Sequence, residues 1–335
     1  MAADAPSTGA WSKTLAPYRQ AKTSRSIFEI VVTIVPLLAI WAVAWALHAH
    51  GWWWASLLLT IPASGFLIRL FMIQHDCGHG SFFGPRQAND WVGRVIGVFT
   101  LTPYDYWRTT HAMHHATSGN LDRRCHGAIG MLTVAEYDAL PPLRRLGYRL
   151  YRHPLVMFGL GPAYVFLAEQ RLPVSLMKQG WRPWASVIGN ALGVLAGLAG
   201  LIWLFGVAPV LIVNVVTMLL AATMGVWLFY VQHQFEGAYW ARNGAWKRDD
   251  AALMGSSHYD LPPVLRWFTA NIGVHHVHHL SSRIPFYHLP KVLKDHPELH
   301  GMSRIGLGES FRLARLALWD EAAGRLVSFR EARAA

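Results

Sequence analysis

Between Ile30 and Ile68 the chain carries no Asp, Glu, Lys or Arg, an uncharged run of 39 residues. About 20 apolar residues are enough to cross the hydrocarbon layer of a bilayer as a helix, so the run predicts two spans. It breaks at His48-Ala49-His50-Gly51, followed by Trp52, Trp53 and Trp54. A tight turn beside an indole cluster suits a membrane interface. A second uncharged run, Pro183 to Gln232, covers 50 residues and breaks near Gly206-Val207-Ala208-Pro209, so it reads as another helical hairpin. Pro36 and Pro62 fall inside spans, which is tolerable where neighbouring helices satisfy the freed carbonyls. The whole chain is 53% hydrophobic and only 15% charged, against about a quarter charged in soluble domains. Two cysteines, Cys77 and Cys125, do not make a disulfide framework.

Basic residues set the expected orientation. The first 25 residues hold Lys13, Arg19, Lys22 and Arg25 against one acid, Asp4, and lack the pattern of a secretory signal. Residues 74–183 carry twelve Lys or Arg and seven acids, the tail is again basic, and the two hairpin turns hold no basic residue. Positive-inside logic puts both termini and the central segment in the cytoplasm. The expected organisation is a cytosolic segment 1–25, a transmembrane hairpin 26–73, a cytosolic and interfacial segment 74–183, a second hairpin 184–231, and a cytosolic cap 232–335. Trp91–Leu101 and Pro154–Ala168 are too short to cross and suit interfacial or re-entrant helices. Asn89-Asp90 reads as a helix start. The segment from Glu309 to Phe329 has helical apolar spacing and is expected to close the cap. The fold class is therefore all-α integral membrane: four spans in two hairpins, interfacial helices and a helical cap. The net charge of +11 fits anionic lipid or an acidic protein partner. Nucleic acid is disfavoured, because no module for it is recognisable.

Eighteen histidines are present, and many are grouped. His75 and His79 follow the second span; His111, His114 and His115 form a HxxHH triplet, as do His275, His278 and His279. Spacings of three and four put side chains on one helix face. One HxxxH pair is expected by chance in such a chain, whereas a HxxHH triplet is expected roughly 0.05 times. Two triplets flanking one hairpin are hard to read as ordinary solvated histidines. Imidazole suits zinc, copper, nickel and iron, and eight ligands exceed what one ion takes, so two ions are implied. His233, at the end of the fourth span, would alone read as an ordinary satisfied histidine; beside these clusters it is a ninth candidate. His276 breaks the spacing and is expected to point away. His126, His258 and His288 stand open between supporting and surface roles. Asp76, Asp105, Glu236, Asn271 and Asp260 lie near the clusters, either as partners for the outer imidazole N–H or as ordinary caps and surface acids.

The segments His-Asp-Cys-Gly-His-Gly-Ser-Phe-Phe at 75–83, His-Ala-Met-His-His at 111–115 and Asn-Ile-Gly-Val-His-His-Val-His-His-Leu at 271–280 resemble the three histidine boxes of membrane fatty acid desaturases. Phe-Tyr-Val-Gln-His-Gln-Phe-Glu at 229–236 is similar to the extra-histidine segment of bacterial members, and the likeness runs from about residue 26 to 330. The first box is closer to the Δ12 (omega-6) acyl-lipid branch than to the Δ9 acyl-CoA branch. The resemblance implies two iron ions held by His75, His79, His111, His114, His115, His233, His275, His278 and His279. It implies dioxygen as co-substrate, a lipid-linked fatty acyl chain as substrate and a bacterial inner-membrane location. Phe229 occupies the spacing at which some relatives carry an asparagine that acts through water. With no dinucleotide fingerprint or haem domain in view, a separate ferredoxin-like electron donor is expected. The basic face would attract such a donor or anionic lipid headgroups. An acyl tunnel could be lined by Trp107, Trp227, Trp240 and Trp267, although core packing is the commoner role of a tryptophan.

Related chemistry with another outcome, hydroxylation of an alkyl, sterol or carotenoid substrate, is the nearest alternative. A zinc hydrolase is disfavoured by the absence of HExxH and by the number of histidines. A metal transporter would place its site near the bilayer midplane rather than beyond the spans.

Overall fold

The computed structural model describes residues 8–124 and 127–334, with side chains from Trp11 onward; Asp4, Cys125 and His126 lie outside the described residues. Four helices among these are long and apolar enough to cross a membrane: α1 (Thr23–Ala49), α2 (Trp53–His79), α7 (Trp181–Phe205) and α8 (Val207–His233). In hydrocarbon every backbone N–H and C=O must be satisfied within the segment, which leaves an uncharged run little alternative to helix. Between α1 and α2 the chain reverses at Gly51, whose φ of +84° is a conformation that a side chain would strain. The amide of Trp52 there returns to the carbonyl of Leu47. Trp52, Trp53 and Trp54 are all exposed around this turn. The chain is an integral membrane protein built on two helical hairpins.

Polar contacts that the sequence pattern does not show tie the spans to one another and to the cap. Trp45 of α1 donates to Asn214 of α8 at 3.1 Å. Arg69, inside α2, pairs with Glu29 of α1 and also donates to the carbonyl of Trp267 in α9 (Pro263–Phe268). Both charged side chains are buried, 3% and 2% exposed. A charge held so close to the hydrocarbon layer is stable only when paired. Here the guanidinium also lies over the Trp267 ring, 4.0 Å from its centroid.

Short helices connect the hairpins. Helix α3 (Arg86–Phe99) leaves Trp91 and Val95 exposed, and α4 (Tyr104–Thr117) turns back beside it. The helix starts at Arg86 rather than at Asn89, because Asn89 is buried and its amide group bonds both the N–H and the carbonyl of Phe83. After α5 (Pro142–Tyr151), residues 156–167 form one π turn and then α6 (Gly161–Leu167), packed against α8. The Thr223 hydroxyl of α8 donates to the carbonyl of Phe158. Leu155, Leu160 and Tyr164 remain exposed, as lipid-facing residues of a short non-crossing segment would be.

The cap is not wholly helical. Two small sheets stand in it: β1 (Leu132–Thr133), β4 (Leu316–Asp320) and β5 (Arg325–Ser328) form one, while β2 (His258–Asp260) and β3 (Arg304–Gly306) form the other. The 309–329 segment expected as one helix is α11 (Leu307–Leu313) followed by the β4–β5 hairpin. Apolar spacing could not separate these readings, because Leu316, Ala317, Leu318 and Trp319 are buried in succession. The Asp320 carboxylate caps the hairpin turn by accepting from the amides of Ala322 and Ala323. Arg152, also buried, ties this hairpin to the end of α8 by donating to the Leu316 carbonyl and to Gln234.

Replacing Glu29 by Gln leaves the Arg69 charge uncompensated, which is expected to cost about 3–5 kcal/mol of stability. The double change Glu29→Gln with Arg69→Met should cost clearly less. Unfolding of the purified protein in detergent measures both, and equal losses would show that the two residues do not act as a pair.

Candidate metal centre

Each histidine cluster sits at the end of an element that meets the same side of the membrane domain. His75 and His79 lie on the last turns of α2, which runs unbroken into the first box, and His233 is the last residue of α8. His111, His114 and His115 are on α4, and His275, His278 and His279 are on α10 (His275–Leu280). This last helix is only 6 residues long, too short to hold itself, so it is held by the main chain before it. The amide of His275 donates to the carbonyl of Ser257, and the amide of Tyr259 to the carbonyl of Gly273. A Cβ at Gly273 would lie 2.3 Å from the Tyr259 carbonyl oxygen, so only glycine permits that approach.

The nine side chains form two groups. His75, His79, His111, His115 and His278 make one; His114, His233, His275 and His279 make the other; within each group the ligand atoms all lie within 4.8 Å of one another. In the first group, Nε2 of His111 is 3.1 Å from Nε2 of both His79 and His115, and His278 is 3.2 Å from His115. In the second, Nε2 of His233 is 3.1 Å from that of His114 and 3.0 Å from that of His275. An imidazole nitrogen has one proton or one lone pair, so it cannot make two such contacts as hydrogen bonds. A metal–nitrogen bond of about 2.1 Å instead places neighbouring ligand atoms about 3.0–3.4 Å apart. The spacing is that of ligands around a shared ion. The groups adjoin, with the His115 and His279 rings stacked at 4.0 Å.

Burial pushes His111, His114, His115, His275, His278 and His279 well below the usual imidazole range, and their neighbours push the same way. They stand neutral at pH 7, lone pairs free. A donor set of imidazoles without carboxylate or thiolate suits zinc, copper, nickel or iron and not magnesium or calcium. The residues present fit a pair of such ions.

Of the expected supporting residues, Asp76 touches the centre. One of its oxygens is 3.3 Å from Nδ1 of His75, and the other accepts the amide of Phe286 at 2.7 Å. The remaining four lie elsewhere. Asp105 is engaged by Arg94 in two bonds, and Asp260 by Arg266 and Arg304. Glu236 is exposed, and Asn271 serves through its main chain, with a φ of +56° in the turn before the third box. Their sequence proximity to the clusters misled, because three of the four carboxylates and amides face away from the imidazoles into arginines or solvent. The carbonyl of Gly255, 3.3 Å from Nδ1 of His233, does what was expected of a side chain, and no sequence signal marks it. His276 points away, its Nε2 on the Leu299 carbonyl, and His258 and His288 likewise meet main-chain carbonyls.

The tryptophans divide. Trp107 stacks on His111 at 4.6 Å, and Trp240 lines a small cavity with Phe229, His114 and His233. Trp227 packs against Phe158 and donates to Tyr259, and Trp267 covers Arg69, both as core packing. The Phe229 ring lies 5.0 Å from His114 and 5.1 Å from His233, giving the four-histidine group an apolar neighbour.

A family model described as fatty acid desaturase matches residues 51–309, which span all three boxes. A fatty acid desaturase of Bacillus subtilis (strain 168) is 42% identical over 319 residues, covering 95% of this chain and 90% of that protein. The chain belongs to the fatty acid desaturase family. More distant relatives include an sn-1 acyl-lipid omega-3 desaturase (ferredoxin) of Synechocystis, 28% identical over 83% of this chain and 75% of its own. An sn-1 oleoyl-lipid 12-desaturase of the same organism is 27% identical over 81% of this chain and 75% of its own. The protein is thus a membrane-bound oxidoreductase that desaturates fatty acyl chains.

Metal ligands whose second nitrogen is held by a carboxylate typically lose about 10–100-fold in metal affinity when it is removed. Asp76→Asn is expected to weaken binding at the five-histidine group by that factor in a chelator competition. Unchanged affinity would leave Asp76 only its bond to Phe286.

Acid should release metal and stability together. Because the folded imidazoles lie below their unfolded value of about 6.5, the unfolded chain takes up more protons as pH falls below that point. Metal-free protein is expected to keep full stability above about pH 6.5 and lose it progressively below, as read from melting temperature against pH. A flat profile from pH 7.5 to 5.5 would contradict buried neutral imidazoles.

Proposed function

We propose that this enzyme introduces a cis double bond into a lipid-linked acyl chain, using two irons, dioxygen and electrons from a separate ferredoxin-like donor. The observation that supports this most is the pairing of a five- and a four-imidazole group, ligand atoms about 3 Å apart, at one end of two membrane hairpins in a desaturase chain. The reading takes all nine histidines as iron ligands and Asp76 as the group that fixes the tautomer of His75. An acyl-lipid substrate of the Δ12 kind is supported by the relative named for oleoyl-lipid. A ferredoxin donor is supported by the relative whose name includes one.

Removing hydrogen from an unactivated methylene requires an oxidant that no side chain supplies; bound iron with dioxygen would provide it. The balance is one CH2–CH2 unit, one dioxygen, two electrons and two protons giving one cis CH=CH unit and two waters. The chain's own residues perform the rest. Neutral imidazoles aim their lone pairs inward, and the carbonyl of Gly255 and the carboxylate of Asp76 hold two rings in orientation. Trp107 and Phe229 present flat apolar faces beside the ligands, which limits the water that can reach them. The centre lies just past the apolar parts of α2 and α8, so an acyl chain can reach it from the bilayer while its headgroup stays at the surface. The positive-inside distribution of basic residues supports a cytoplasmic position for this end of the protein and both termini, in a bacterial inner membrane.

Expression in a host lacking such double bonds, followed by lipid profiling, should yield a new cis-unsaturated species that a His278→Ala variant does not make. An unchanged profile from iron-loaded protein with a working donor would overturn the proposal. A hydroxylated product would replace it by the monooxygenase reading.

A further inference from the structure

A groove of about 880 Å³ opens between α3, α4 and the start of α7. His111, His114 and His115 face the centre, whereas Asp105, Arg108 and Thr109 of the same helix line the groove. Its walls are fixed by direct bonds: the Tyr106 amide donates to the Ser186 hydroxyl at 3.1 Å, and Asn190 donates to the Gly97 carbonyl at 2.7 Å. Trp91 and Trp181 stand at the rim, 65% and 73% exposed, on α3 and on the first residue of a membrane span. Exposed indoles at that height collect at the boundary between headgroups and acyl chains. Val95, which lines the groove, and Ile188, next to the lining residue Gly189 on α7, are also exposed, 57% and 53%, and offer apolar surface to acyl chains.

The groove's charge is unbalanced. Arg94, Arg108 and Arg182 line it against a single carboxylate, Asp105. Arg94 takes up both oxygens of Asp105, and Arg108 gives one N–H to Asp90, outside the groove, at 2.8 Å. Arg182 has no bonding partner among the described residues, and α7 begins without a side-chain cap, so its first amides add positive potential beside it. We infer that this groove binds the headgroup of an anionic glycerophospholipid. The phosphate diester sits between Arg108 and Arg182, and the acyl tails descend past Val95 and Ile188. Arginine suits phosphate because its fork offers paired donors to two oxygens. A zwitterionic headgroup gains less: its cation would need a free carboxylate, and Asp105 is already taken by Arg94. The inference does not depend on which acyl chain the enzyme desaturates, since none of the nine histidines lines the groove.

The test is native mass spectrometry of the detergent-purified full chain, titrated with dioleoylphosphatidylglycerol or dioleoylphosphatidylcholine. The wild type should retain the anionic lipid about 5-fold more strongly per arginine engaged. Arg182→Gln should remove about one such factor, Arg182→Lys should restore most of it, and Arg144→Gln, outside the groove, should change nothing. Metal content should stay constant throughout, which separates a lost lipid site from a damaged fold. Arg108→Gln combined with Arg182→Gln should bring the two lipids level. Equal retention of both lipids by the wild type, or no effect of Arg182→Gln, would overturn the inference. Displacement by inorganic phosphate at matching concentration would also overturn it, by making the groove a free-anion site.

Discussion

Nine imidazoles crowd together with neighbouring nitrogen atoms about 3 Å apart. Such a cluster does not stabilise itself: the rings are out of water, and protonating any one of them would set charge against its neighbours. The surrounding structure therefore has to hold these rings in place against their own tendency to hydrate. Most of the architecture near the centre can be understood as that restraint.

Four elements supply it, each differently. Helices α2 and α8 are anchored through the bilayer, so their last turns are fixed by the spans beneath. The Glu29–Arg69 pair locks α2 to α1 and α9 one to two turns below the first box. Helix α4 has no membrane anchor and is braced instead through Tyr104, which bonds the Cys77 carbonyl at 2.8 Å, and through Trp107 packed on Phe71. The third box has too little helix to stand alone. It hangs on β2 by main-chain bonds, which is why glycine is needed at 273. The histidine cluster thus rests on hydrophobic burial on the membrane side and on hydrogen bonding on the cap side.

The small sheets of the cap follow from the same requirement. Parallel pairing of β2 with β3 fixes the strand that carries the third box, with His258 opposite Arg304. The β1–β4–β5 sheet, joined through Arg152 to Gln234, closes the cap over the end of α8. These contacts link residues far apart in sequence through strands of 2 to 5 residues. Such strands are too short to leave a periodic signature, and the apolar stretch after Glu309 suited a helix equally well.

The sequence alone determined the two hairpins, because an uncharged run of 39 or 50 residues has few states other than paired membrane helices. It also determined which imidazoles share a helix face, because spacings of three and four put side chains on one side of a helix. Only the tertiary structure decided how the nine divide into five and four, with His114 leaving its neighbours on α4 to join His233, His275 and His279. Only it decided which carboxylate serves a ring, choosing Asp76 and giving Asp105 and Asp260 to arginines. The reason is physical: helical spacing fixes directions within one element. Which lone pairs meet depends on how separate elements cross, and that is settled by long-range packing and main-chain bonds that leave no local trace.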